Sequence, residues 1–127
     1  MQQQIECCAA GLLRLGLEPG ARVALYLDKR VEAVVASFAA PAAGAVLVPV
    51  NPLLKPAQVG HILRDAGARV LVTSAARLAQ LVPVLADCTD LLHVVLCDEA
   101  QPVGGQLPAG VALHAWPELL AGAPAAA

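Results

Sequence analysis

The sequence predicts an α/β domain with a mainly parallel sheet and flanking helices, and three observations carry that reading. Residues 44–74 read strand, turn, helix, turn, strand, the pattern of a right-handed crossover unit. The same alternation continues on both sides: a helix, then strand and helix three times over, then a strand. The third observation is composition. Hydrophobic residues make up 58% and aromatic residues only 2%, so the apolar content is mainly Ala, Val and Leu. The mean hydropathy of +0.68 is high for a free-standing domain. It fits a sheet covered on both faces, and also a chain that buries a face against something larger.

The elements follow in order. Over residues 3–15, Ile5, Cys8, Ala9, Leu12 and Leu15 keep helical spacing. This helix starts almost at Met1 without a clear cap, as part of a longer element would. Gly16 and Glu18-Pro19-Gly20 turn the chain into a strand over 22–27, rich in Val, Leu and Tyr. Asp28 is the expected N-cap of the second helix, with Val31, Val34, Val35 and Phe38 as its apolar stripe. Pro41 should kink that helix or end it near Ala40. The apolar run 45–50 is continuous rather than alternating, which predicts a strand buried on both faces. Asn51-Pro52 is a turn signal, and Pro56 suits the first turn of a helix. Val59, Ile62 and Leu63 share one face of that helix, and Gly67 is its expected C-terminal cap. Residues 70–72 form a strand, and Ser74 caps a fourth helix built on Leu78, Leu81, Val82 and Leu85, bent or shortened by Pro83. A turn over 87–90 precedes a strand over 93–97. Residues 98–110, with Pro102, Gly104, Gly105, Pro108 and Gly110, read as an exposed loop. A short strand over 111–114 and one helical turn over 116–120 follow. Residues 1–120 are expected to form one unit, and 121–127 a low-complexity tail.

Several function classes are disfavoured. A chain of 127 residues with net charge −2 has neither a basic patch for nucleic acid nor an acidic tail for a cationic partner. Cys7, Cys8, Cys88 and Cys97 form no Cys-x-x-Cys pair and have no histidine at zinc spacing, so they read as reduced thiols in a cytosolic protein. The first residues lack the basic-then-apolar pattern of a signal peptide. Residues 33–54 are free of charge and long enough for a spanning helix. Pro41, Gly44, Pro49, Asn51 and Pro52 interrupt them, so helix, turn and strand fit better.

Ligands of open α/β sheets sit at the carboxyl ends of the strands. Those positions are Asp28, Asn51, Thr73-Ser74 and Asp98-Glu99. Each also has a plain structural role as cap, turn former or solvated loop. No Gly-x-Gly-x-x-Gly or Gly-x-x-x-x-Gly-Lys-Ser/Thr is present, and no helix opens after Gly104-Gly105. His61 lies on a helix beside its apolar stripe, His93 starts a strand and His114 ends one, and none has a nucleophile setting. Lys29-Arg30 opens a helix as a solvated pair that opposes the helix dipole. No catalytic, cofactor-binding or metal-binding residue is assigned.

Four ordered stretches are distinctive. They are Gly16-Leu-Glu-Pro-Gly-Ala-Arg-Val-Ala-Leu-Tyr-Leu27, Glu32-Ala-Val34, Ala43-Gly-Ala-Val-Leu-Val-Pro-Val-Asn-Pro52 and Ile62-Leu-Arg-Asp-Ala-Gly-Ala-Arg-Val-Leu-Val-Thr73. Together, over about residues 5–98, they resemble the N-terminal region of AMP-forming acyl-CoA synthetases, within the adenylate-forming superfamily that also holds peptide-synthetase adenylation domains and luciferases. Asn51-Pro-Leu-Leu-Lys-Pro-Ala-Gln-Val59 further resembles acyl-CoA ligases associated with bacterial exosortase systems. Ala21 stands where the family usually has Asp, and Pro41 where it usually has another residue. The Ser/Thr-Gly-rich loop ending Pro-Lys-Gly, the Tyr-x-x-Thr-Glu segment and the domain with the catalytic lysine have no counterpart in these residues.

The resemblance implies a piece of an enzyme that uses ATP, Mg²⁺ and CoA, with no cofactor held by this piece and no activity of its own. It also implies that the remainder of the enzyme covers an apolar face. Two alternatives stay open: a stand-alone α/β interaction module without catalysis, and a membrane-associated protein built on residues 33–54.

Overall fold

The computed structural model describes residues 2–28, 30–97 and 110–121. The expected loop over 98–109, Lys29 of the Lys29-Arg30 pair, the Asp98-Glu99 candidate and residues 122–127 of the expected tail lie outside the described residues. The elements are α1 (Gln2–Arg14), β1 (Arg22–Tyr26), α2 (Val31–Ala42), β2 (Val46–Pro49), α3 (Pro56–Ala66), β3 (Ala68–Thr73), α4 (Ala75–Leu85), β4 (His93–Leu96), β5 (Ala112–Ala115) and α5 (Trp116–Ala121). The described strands form one sheet in the order β2-β1-β3-β4-β5, with every neighbouring pair parallel.

The chain moves one way across the sheet from β1 to β2, then reverses to build β3, β4 and β5. A right-handed crossover that changes direction must change face. Accordingly α2, with α1 and α5, covers one face over Val23, Val70, Val72 and Val95. Helices α3 and α4 cover the other over Ala24, Tyr26, Leu71, Val94 and Leu96. Central β3 is buried almost throughout.

Local signals explain most boundaries. Pro56 opens α3, Gln58 Oε1 accepts the Lys55 N–H at 3.0 Å, and Gly67 closes the helix at φ 62°. Only glycine adopts that left-handed conformation without penalty. The Ser74 hydroxyl accepts the Arg77 N–H at 3.3 Å and caps α4. Glu118 accepts the Ala115 N–H at 2.9 Å at the start of α5, half of a capping box. Arg14 donates to the Leu119 carbonyl at 2.9 Å and ties α1 to α5.

Five expectations change. Residues 45–50 do not form a strand buried on both faces, because β2 is an edge strand and Val46 is 48% exposed. Pro49 fits that edge, since it has no N–H to give an outer neighbour. The inward face of α2 is not Val31, Val34 and Phe38. Val35, Ala36, Ala39 and Ala40 are buried there, and Phe38 is 60% exposed. Small side chains let α2 approach the sheet closely and leave its larger residues outside. Helix α2 also runs on to Ala42, with Pro41 in its last turn, where one bond is lost without ending the helix. Asp28 does not cap α2; the cap position is Arg30, two residues on, with extended backbone and no side-chain cap bond. Pro83 likewise lies inside α4, exposed near its end. Ala121 closes α5 rather than opening the tail.

Helices α3 and α4 meet at Gly60. A Cβ built there would lie 2.9 Å from the Val84 Cβ, and the Cys88 thiol points at the Gly60 carbonyl at 3.7 Å. Gly60→Ala would gain about 1 kcal/mol of helix propensity but overpack by about 1–3 kcal/mol. We expect a net loss of about 1 kcal/mol in urea unfolding. In a Val84→Ala background, the same substitution should become neutral or stabilising, because the overlap is gone.

Candidate functional site

The strand order reverses between β1 and β3, so the crevice beyond their carboxyl ends is where an open sheet would take a ligand. The residues predicted for that edge do converge there, around one side chain that sequence reasoning missed, Arg77. Its guanidinium pairs with Asp28 Oδ1, donates to the Pro52 carbonyl at 3.0 Å and lies 4.8 Å over the Tyr26 ring centroid. The Tyr26 hydroxyl donates to the Leu54 carbonyl at 2.9 Å. Thr73, fully buried, donates from Oγ1 to the Tyr26 carbonyl at 2.8 Å. Asn51 Oδ1 accepts the Leu53 N–H at 2.9 Å, an Asx turn. Arg30 reaches within 3.9 Å of Asp28 Oδ2.

A signal for Arg77 existed. It sits in the first turn of α4, where a cation opposes the helix dipole and needs a compensating anion. Asp28, 49 residues earlier, provides it. Burial pulls the Arg77 pKa down, but the hydrogen bond and charge of Asp28, helped by Tyr26, more than reverse this and hold it above its ordinary value. A cleft of about 360 Å³ opens beside this cluster, lined by Asp28, Arg30, Ser74, Arg77 and Gln80. Its main cation is already neutralised. The cluster ties the loops after β1 and β2 to the start of α4.

A second cavity, about 410 Å³, lies at the opposite, amino edge between the starts of β1, β3 and β4. Glu18, Arg22, Arg69, Asp90 and His93 contribute its polar lining. Here the structure joins two histidines that the sequence left apart, with His93 Nδ1 3.1 Å from His114 Nε2. His61 is exposed on α3, 3.0 Å from Asp65 and 3.2 Å from Arg64. None of the four cysteines is in a disulfide, and only Cys7 is not buried. Burial, with Cys7 adjacent, pushes the Cys8 thiol up to about 12, and burial also raises Cys88 against a smaller opposing effect of Arg64. Both are protonated and inert at neutral pH. Among the described residues, no group of three or more His, Cys, Asp or Glu could hold a metal ion, and no helix is long and apolar enough to cross a membrane.

Residues 1–123 match the family model described as AMP-binding enzyme. The chain belongs to that family. It is 36% identical over 98 residues to a 4-coumarate–CoA ligase of Pinus taeda, covering 77% of this chain and 18% of that one. It is 35% identical over 107 residues to a crotonobetaine/carnitine–CoA ligase of Escherichia coli, covering 80% and 20%. The fold superposes on the anthranilate–CoA ligase AuaEII, solved with anthranoyl-AMP, with a TM-score of 0.82 and 26% identity, over 94% of this chain and 21% of that one. The chain thus spans about a fifth of the length of these relatives. In this AMP-binding family member the reversal point is filled by its own arginine.

Arg77→Met removes the ion pair, the carbonyl bond and the ring contact together. We expect a loss of about 2 kcal/mol in urea unfolding. Asp28→Asn, at a mostly solvent-exposed partner, should lose under about 1 kcal/mol. The double variant should lose less than the sum of the two, the mark of a coupled pair.

Proposed function

We propose that this chain is the N-terminal portion of an AMP-forming acyl-CoA ligase, supplies scaffold for its first subdomain in the cytosol, and is inactive alone. The whole enzyme would join a carboxylate to AMP with release of pyrophosphate, then pass the acyl group to the thiol of CoA. Carrying most weight is that a family match over nearly the whole chain accounts for only about a fifth of the named ligases. The site geometry agrees. The guanidinium at the reversal point is committed to Asp28, and the described residues offer neither a Gly-rich phosphate cradle nor a carboxylate cluster for Mg²⁺. In this reading ATP, Mg²⁺ and CoA are held by the remainder of the enzyme, and no step of the reaction is derived from these residues.

The same reading explains the outward face of α2. Val31, Val34 and Phe38 recur at helical spacing and are all exposed. An apolar stripe of this kind marks a packing surface, and the remainder of the ligase is its proposed cover. The rival reading, a stand-alone interaction module, would use the same stripe for a separate partner.

The isolated chain should show no ATP–pyrophosphate exchange with any carboxylic acid, and measurable exchange would overturn the proposal. Coding sequence downstream that specifies the Ser/Thr-Gly-rich loop ending Pro-Lys-Gly would support it; unrelated sequence after a clean stop would favour the module.

The stripe has its own check. Val31→Glu with Phe38→Lys should raise the soluble yield of the chain several-fold. Its melting temperature should hardly move, because exposed substitutions usually change stability by no more than about 0.5 kcal/mol. Unfolding of that variant would mean the stripe is internal packing.

A further inference from the structure

We propose that His93 and His114 form a two-imidazole chelate for a divalent transition metal that favours nitrogen ligands: copper(II), nickel(II) or zinc(II). The sheet creates the pair. In the parallel β4–β5 ladder, His93 is opposite Ala112 and His114 opposite Val95, so the histidines are diagonal neighbours on one face. The side chains of such neighbours reach one another. Their ring centroids are 5.2 Å apart with a 41° tilt, and Nδ1 of His93 is 3.1 Å from Nε2 of His114. Two imidazole nitrogens on one tetrahedral zinc, each about 2.0–2.1 Å from the ion, lie about 3.3 Å apart. The nitrogen spacing therefore needs to change little, while each ring pivots by about 35° to turn its lone pair from the other nitrogen toward the ion.

Protonation permits the exchange. One nitrogen of the pair carries the proton between the rings and the other accepts it. When a metal replaces that hydrogen bond, the proton moves to the far nitrogen of the ring that carried it, with no net proton released. Burial, followed by His114, holds the His93 pKa below its ordinary value, so neutral imidazole, the ligating form, is present at neutral pH.

The surroundings permit a cation. The cavity of about 410 Å³ that His93 lines gives water a path to the pair. Its Arg22 and Arg69 are matched by Glu18 and Asp90, so the local charge is balanced. No third protein ligand joins the pair among the described residues; water completes the shell. Affinity should rise in the order zinc, nickel, copper. Magnesium, which demands oxygen ligands, should not bind.

Nickel(II) titrated calorimetrically into the full 127-residue chain at pH 7.5 tests this. One ion per chain is expected. His93→Gln and His114→Gln should each weaken binding at least tenfold. His61→Gln, which removes the exposed histidine beside Asp65, and Cys7→Ser should leave it unchanged. Magnesium should give no binding at the same concentration. Saturable binding that survives both His93→Gln and His114→Gln, or none below millimolar nickel, would overturn the site. Imidazole ¹⁵N signals of the unsubstituted chain give a readout independent of any variant. Zinc should shift those of His93 and His114 together, and a shift confined to His61 or to one of the pair would also overturn it.

Discussion

The arrangement depends on β3 being hydrogen-bonded on both sides and buried on both faces. Val70, Leu71, Val72 and Thr73 have no solvent face to offer, so the strand needs partners along each edge and helices above and below. β1 and β4 supply the edges, and the two helical layers supply the cover. The strand begins and ends on two local devices. Gly67 turns the chain out of α3 in a left-handed conformation, and Ser74 caps α4 immediately after the last strand residue. Thr73 is the one polar side chain wholly inside that strand, and it is satisfied by the Tyr26 carbonyl of the neighbouring strand. A buried hydroxyl with such a partner is tolerated; one without would cost a few kcal/mol, on the order of the desolvation of the group.

That central pairing also decides what the carboxyl edge can do. Because β1 and β3 are adjacent although β2 lies between them in sequence, the loops after them are forced apart around a crevice. In this chain the crevice is partly occupied. Arg77 enters it from α4 and binds the strand ends and the loop after β2 to one another through Asp28, Pro52 and Tyr26. A cation that satisfies its own anion has little left for a ligand phosphate. At the position where topology would place a ligand, Arg77 thus makes structural ties.

Much of this was legible in the sequence, and the exceptions have common causes. α3 could be read from Pro56, its apolar face and Gly67, and α4 from Ser74, because caps and breakers act within a few residues of where they stand. The parallel sheet followed from the alternation of elements. The continuous apolar run 45–50 misled because apolar content does not report strand order. Pro49 was the better guide to an edge. For α2, size misled. In a helix apolar nearly all round, periodicity cannot say which face is inward, and the alanine face won because it allows close approach. Asp28 with Arg77, and His93 with His114, are pairs made by strand order and register. They lie 49 and 21 residues apart, and no local pattern in the sequence announces either one.

The α2 result links packing to function. A helix that turns Val35, Ala36, Ala39 and Ala40 inward and Val31, Val34 and Phe38 outward spends its smaller side chains on its own core and presents its larger ones outside. Burying a large apolar side chain contributes about 1.5–3 kcal/mol, so this orientation forgoes several such contributions within the chain itself. Such an orientation makes energetic sense when the outer stripe is buried against a further surface. The open outer edge of β2 lies at the same side of the sheet, since α2 connects β1 to β2. Unused apolar area and, among the described strands, an unpaired sheet edge thus fall on one flank, while Arg77 occupies part of the crevice at the topological ligand position.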